Sequence, residues 1–276
     1  MNINYGDIML IDFHTHIFPD SLAERAISSI KKGVYLKNGV TVESFADGTL
    51  AGLYKSMSDA KVDLSVSLPV ATTLKQSNSI NLFAQTVRNE RVISFAGVHP
   101  MQENALEVLD DIKQKGFLGI KLHPEFQSCD IDSKQSIALL KKAEELHLYT
   151  VIHAGEDYGV QGEVHSAPKK ISNALEYVSG KYLIAAHLGG WNLWDDTEKY
   201  LVGKSLYFDT AMLSRFIDME QYRRIIRNHG SENILFGSDS PWESPRDTYE
   251  CLSSLGLTDE EFSNITYKNA AAILNL

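Results

Sequence analysis

The chain has little cysteine: two residues in 276, Cys129 and Cys251, far apart and outside any CxxC spacing. That argues against a disulfide framework and a thiolate metal site, and leaves both thiols as reduced bystanders. No apolar run approaches the roughly 18 residues of a membrane span, and the opening MNINYGDIML lacks the basic start and long apolar stretch of a secretory signal. A cytoplasmic protein with no membrane partner is expected. Positive charge is also scarce, with a net charge of −10 spread along the chain. Such a balance opposes attraction to phosphate backbones or anionic lipid and makes nucleic acid an unsuitable partner. There is no GxGxxG after the first apolar run, so the fingerprint of a dinucleotide site is missing.

What is present is a recurring plan. Eight short apolar or β-branched runs follow one another: DIMLIDFHTH, VDLSVSLPV, VISFAGVHP, FLGIKLHP, LYTVIHAG, YLIAAHLGG, SLYFDTA and ILFGSDSPW. They are apolar without strict alternation, which suits strands covered on both faces in a parallel sheet. Helical patterns lie between them. Asp132 or Ser133 can cap DSKQSIALLKKAEEL, Ser166 precedes Pro168 at the start of APKKISNALEYV, and Thr258 with Glu261 has the spacing of a capping box. Strand then helix, eight times over about 250 residues, predicts an α/β protein with a (β/α)8 TIM barrel, and residues 1–276 read as a single domain. A doubly wound open sheet is the rival. Residues 17–60 are too long for a plain first loop and read as an insertion over the barrel mouth. It comprises a helix over SLAERAISSIKK and then a hairpin in VYLKNGVTVES, turned at Asn38-Gly39.

Histidine placement carries most of the functional signal. Of nine histidines, His14, His16, His99, His123, His153 and His187 fall at the carboxyl ends of predicted strands, where barrel enzymes keep their chemistry. Residues two apart on a strand share a face, so His14 and His16 point together toward the barrel axis. Two converging neutral imidazoles are costly to bury unless a divalent cation accepts their lone pairs. His153 and Asp239, at the ends of the fifth and eighth strands, complete an N3O set suited to zinc with room for a water. His187 and Asp239 are the candidates for moving that water's proton. His147 and His229 near helix ends, and His165 in a loop, fit ordinary structural roles. His99 and His123 are open between substrate contact and structure, and Asp209 reads as a hydrogen-bonding residue at a strand end. Trp191, Trp194 and Trp242 either wall a pocket or pack helices.

The ordered pieces IDFHTHIFP, GIKLHP, VIHAG, AHLGG, ILFGSDSPW and NAAAIL resemble the amidohydrolase superfamily, in its amidohydrolase-related branch (amidohydrolase 2), which includes aminocarboxymuconate-semialdehyde decarboxylase-like enzymes. The resemblance runs along nearly the whole chain. It implies a distorted barrel of the metal-dependent hydrolase type with one divalent ion on His14, His16, His153 and Asp239, and with His187 acting on the water. Zn2+ is the expected ion, Mn2+ or Fe2+ the alternatives. A second ion on His153 and His187 follows if Lys121 is carboxylated, as at the equivalent strand end of two-metal relatives. Otherwise Lys121 donates to a substrate carboxylate or carbonyl. The function implied is hydrolysis of a small, carboxylate-bearing substrate, with decarboxylation at the same site as the alternative and a non-catalytic binding barrel as a third reading. His123 and Arg246 are further substrate-binding candidates, although an exposed salt bridge on a helix is an equal reading for Arg246. A homodimer is left open.

Overall fold

The structure is a computed structural model that describes residues 9–276. Among the described residues nine short parallel strands run in chain order: β1 (Ile11–Thr15), β2 (Leu64–Ser67), β3 (Val92–Ser94), β4 (Ala96–Gly97), β5 (Gly119–Leu122), β6 (Tyr149–Ile152), β7 (Leu183–Ala185), β8 (Tyr207–Asp209) and β9 (Ile234–Leu235). Each predicted run yields its strand, and the third, VISFAGVHP, is split into β3 and β4 at Phe95. The split divides the ladder into β1-β2-β3 and β4 through β9 in order. Phe95 N–H still donates to Ser67 O at 2.9 Å, so the third run pairs with β2 across the break. At the other seam Phe13 N–H donates to Phe236 O (2.7 Å), Asp239 N–H to His14 O (2.8 Å) and His16 N–H to Ser240 O (2.6 Å). These bonds join the first strand to the last, as a (β/α)8 barrel requires.

Helices lie between the strands and begin where local chemistry satisfies their free N–H groups. Ser133 accepts from Ser136 N–H, and Thr258 and Glu261 form a reciprocal capping box. Ser166 is not a cap: Ala167 precedes Pro168, while the Ser166 hydroxyl and N–H both donate to Glu125 Oε1, at 2.9 and 3.1 Å. A large apolar cluster lies between strands and helices. A second one joins Phe13, Val66 and Ile184 on the strands, and Phe95 at the break between β3 and β4, to Ile273 and Leu274 of the C-terminal helix. No helix among the described residues is long and apolar enough to cross a membrane.

The insertion differs from expectation. There is no hairpin in VYLKNGVTVES. One helix, α1, runs Asp20–Asn38 and ends at Gly39 in the left-handed conformation (φ 67°), whose N–H caps Tyr35 O. Asn-Gly, the pair expected to turn a hairpin, instead marks a helix C-terminus, because a glycine at positive φ serves either ending. A second helix, α2 (Leu50–Ala60), starts at Thr49, whose side chain accepts from Gly52 N–H. Ile30, Val34 and Val42 from this segment line a cavity over the carboxyl ends of the strands.

Candidate functional site

The cavity has a volume of about 210 Å³ and a floor made by His14, His16, Lys121, His153, His187 and Asp239. The sequence thus disperses these residues over five strand ends, and the barrel gathers them. His14 Nε2 lies 3.2 Å from His16 Nε2, and Asp239 Oδ1 lies 3.1 Å from His16 Nε2 and 3.6 Å from His14 Nε2. His153 is one step removed from this trio: its Nδ1 is 3.0 Å from His187 Nε2, and the His14 and His187 ring centroids are 5.3 Å apart.

The outward nitrogen of every imidazole is committed. His16 Nδ1 donates to Leu68 O (2.8 Å), His187 Nδ1 to Ala211 O (3.0 Å) and His153 Nε2 to Glu156 O (3.1 Å). A carbonyl oxygen only accepts, so each of those nitrogens carries the ring proton. His14 Nδ1 faces the Asp209 carboxylate at 2.8 Å and is oriented in the same sense. The four inward nitrogens are therefore bare in the neutral rings. Lone pairs would oppose each other at 3.0–3.2 Å, with an Asp239 oxygen beside two of them. Protonation of His14 and His153 is disfavoured, since burial and neighbouring Lys121 hold His14 well below the ordinary imidazole range, and burial and adjacent imidazoles do the same for His153. A cation resolves the opposition of lone pairs, and outward hydrogen bonds that fix the tautomer are what metal-ligating histidines make. The residues present fit a divalent ion.

Electrostatics around this floor follow from burial and contact. Burial opposes ionisation of Asp239, yet the adjacent His14 and His16 hold its carboxyl well below the usual range. Lys121 is 1% exposed, and burial lowers its ammonium to about 8 while Asp209 and Asp239 partly support the charge. Its Nζ donates to His14 Nε2 at 3.2 Å. Asp209 accepts from His187 N–H and Ala211 N–H as well, holding three groups in place with one carboxylate. His187 and Asp239 both adopt positive φ, 57° and 67°. For non-glycine residues that conformation is strained, and it is retained here by the surrounding hydrogen bonds.

A second group, His123, His153 and Asp157, also lies within ligand distance of itself. It does not suit an ion. The His123 and His153 rings are stacked at 4.1 Å and 11°, so no point lies in both ring planes, where the nitrogen lone pairs are directed. His123 lines the cavity and stacks on Phe126 on its other face. Trp191 and Trp242 line it too, whereas Trp194 packs behind, donating to His187 O. His99 is buried outside the cavity lining, with Nδ1 accepting from Met101 N–H. Arg246 is not brought to the mouth: it is exposed on the helix Pro245–Ser253, and its guanidinium donates to Asp59 O at the end of α2. His147, His165 and His229 are elsewhere, bonded to Tyr182, Asp130 and Leu206 O respectively.

Some contributors carry no readable signal in the sequence. The three carbonyls that set the tautomers are backbone atoms of Leu68, Glu156 and Ala211. Asp12 is a buried carboxyl on β1 that accepts from Ser238 Oγ, Ser238 N–H and His14 N–H; burial pushes it up to about 7. Its position two residues before His14 is the only clue. The apolar wall from α1 depends on how the insertion folds back.

Comparison with known proteins agrees with the barrel fold. A search of curated proteins by sequence finds no match. Among solved structures, a TIM-barrel protein from Bordetella bronchiseptica superposes with a TM-score of 0.75 at 14% identity, covering 97% of this chain and 98% of that one. The 5-carboxyvanillate decarboxylase of Sphingomonas paucimobilis gives 0.67 at 14% identity, covering 98% and 100%. A dihydroxybenzoic acid decarboxylase from a Polaromonas species, solved with manganese and 2-nitroresorcinol, gives 0.69 at 13% identity, covering 98% of each chain. The sequence profile of the amidohydrolase family matches residues 11–276. With the histidine and aspartate cluster at the strand ends, that match identifies a metal-dependent enzyme: the chain belongs to the amidohydrolase family.

Proposed function

We propose that the protein is a hydrolase whose single divalent ion is held by His14, His16, His153 and Asp239 and whose substrate is a small carboxylate. The observation that carries this is the set of inward, unprotonated imidazole nitrogens beside Asp239 at the floor of the cavity. Zinc suits an N3O donor set, with manganese or ferrous iron as alternatives. When bound, such an ion supplies Lewis acidity and lowers the pKa of a water toward 7. The chain's own groups do the rest. His187 Nε2, bare and inward, takes the proton of the attacking water, and its bond to Ala211 O stabilises the imidazolium that results. Lys121 donates to the substrate carboxylate. His123 gives a flat face to the substrate, stacked between Phe126 and His153.

A second reading, decarboxylation, is favoured by the apolar wall. A carboxylate enclosed by Val34, Val42, Leu68 and Trp191 loses water contacts that stabilise it, which favours departure as CO2. In that reading the C–C bond electrons pass to the substrate carbon, and protonated His187 delivers the proton there. Solved relatives of this fold include decarboxylases of dihydroxybenzoate and carboxyvanillate. Product analysis in ¹⁸O-labelled water separates the readings: hydrolysis places label in the product, and decarboxylation releases CO2 with one proton gained.

We also take residues 1–276 as one domain and place the protein in the cytoplasm, on its free Cys129 and Cys251. The test of the ion site is elemental analysis of protein purified without added metal, beside His14→Ala. One equivalent in the wild type and strong depletion in the variant are expected. Full retention in the variant would overturn the ligand set. Two equivalents would favour a carboxylated Lys121 with a second ion on His153 and His187.

A further inference from the structure

Charge is distributed unevenly over the cavity. Among the described side chains lining it, Lys121 is the single lysine or arginine, and it lies buried at the floor against His14. Glu156 and Asp157, half-buried on the loop after β6, contribute two carboxylates to the wall. Glu156 is held by Asn192 Nδ2 at 2.6 Å, and Asp157 by Gly159 N–H at 2.6 Å, with its second oxygen 3.5 Å from His123 Nε2. Neither has a lysine or arginine beside it among the lining residues. The remainder of the wall is mostly apolar and rich in flat rings, including Phe126, Tyr158, Trp191 and Trp242, with Val34 and Val42 from the insertion beside them.

Volume sets a second limit. An engineered cavity of about 150 Å³ in another protein accommodates benzene, so by proportion this space holds about eight or nine non-hydrogen atoms. That is one six-membered ring with a carboxylate, and the half-open mouth leaves room for one further small substituent but not for a second ring held inside.

We infer that the cavity selects compact monoanions, with Glu156 and Asp157 as specificity-determining residues that reject a second anionic group. This rests on the reading above in which Lys121 receives the substrate carboxylate. With that carboxylate on Lys121, a second one on the same ring meets a lining that carries the Glu156 and Asp157 carboxylates and, among the described residues, no further lysine or arginine. It loses its hydration and gains no cation, and like charges across a contact disfavour the complex. A neutral group of the same shape meets no such penalty.

The test uses metal-loaded wild-type protein and calorimetric titration with four probes: benzoate, 3-nitrobenzoate, isophthalate and 4-phenylbenzoate. Nitro and carboxylate groups are close in size, so the ratio of 3-nitrobenzoate to isophthalate affinity reads charge alone. 3-Nitrobenzoate is expected to bind at least about tenfold more tightly than isophthalate. A double variant, Glu156→Gln with Asp157→Asn, should shrink that ratio by about threefold or more while benzoate affinity changes less. Benzoate should bind more tightly than 4-phenylbenzoate, and Val34→Trp should weaken benzoate by filling the space it occupies. Isophthalate binding as tightly as 3-nitrobenzoate overturns the charge selection. An unchanged ratio in the double variant removes Glu156 and Asp157 from it, and 4-phenylbenzoate binding as tightly as benzoate overturns the size limit. Protein with normal metal content that binds none of the probes overturns the inference and leaves the ion site intact. Protein without metal overturns the ion site, while the affinity ratios still decide the selection.

Discussion

Asp209 sets the protonation pattern of the site from outside it. Its Oδ2 accepts from His14 Nδ1–H, leaving Nε2 without a proton of its own toward His16. Asp209→Asn can present an amide N–H there instead, and would then place the ring proton on the inward nitrogen. A loss of about 10- to 100-fold in metal affinity is expected, measured by competition with a chelator. Unchanged affinity would show that another group orients His14. Glu243 gives a prediction of a different kind. Fully buried, it accepts from Thr248 Oγ1 at 2.7 Å, and burial pushes it up to about 7. A carboxyl with a raised folded-state pKa binds more protons in the native chain than in the unfolded one. Its contribution to stability is thus present below about 4.5, the ordinary value for a glutamate, and lost as pH rises to 7 and beyond. Glu243→Gln should flatten that fall, by an amount on the order of 3 kcal/mol between pH 4.5 and 8, in urea unfolding followed across pH. A variant with the wild-type pH slope would show that Glu243 titrates alike in both states.

At the scale of elements, the loops after β6 and β7 meet at a glycine. Gly155 has φ 91°, and a Cβ there would come within 2.3 Å of Trp191 N. The backbone of one loop therefore lies directly on the other, which brings His153 and His187 within reach. Gly155→Ala should destabilise by about 2 kcal/mol or more, through positive φ and the clash together, and should lower metal content as well. A thermal unfolding curve matching the wild type would contradict this close packing. Thr258→Ala is the milder counterpart, expected to cost about 1 kcal/mol through loss of the capping box, with metal content unchanged. These two positions also show what can be read from one sequence. Thr258 and Glu261 act on neighbours three residues away, so their spacing announces the cap. Asn38-Gly39 does not announce its outcome, because positive φ at Gly39 ends a helix as readily as it turns a hairpin, and the choice falls to Ile30 and Val34 on α1, which line the cavity over the strand ends. Arg246 is similar: its place in sequence allows the mouth, and packing of its helix against α2 takes it to Asp59 O.

At the scale of the whole molecule, the proposed ligands His14, His16, His153 and Asp239 stand at three strand ends, those of β1, β6 and β9, so removing an ion held by them should loosen the barrel as a unit. Protein saturated at about 100 times Kd gains about 2.7 kcal/mol over the stripped form. In a chain of this size that corresponds to roughly 5–10 °C in melting temperature, read by calorimetry before and after dialysis against chelator. Coincident melting curves would mean that no ion links these strands. The barrel itself was legible because its cause is local and repeated: each apolar run needs cover on both faces, and each capped helix beside it supplies that cover. His14, His16, His153, His187 and Asp239 were legible for a related reason, since strand period and strand-end position are enough to aim them at one axis. By itself, then, the sequence determined the strand and helix plan and the donor types available at the barrel rim. Tertiary structure alone decided which nitrogen of each imidazole faces inward, which cation remains in the cavity, and how α1 closes over it. Those outcomes depend on carbonyls of Leu68, Glu156 and Ala211 and on side chains distant in the chain, whose approach is set by closure of the barrel rather than by any local pattern.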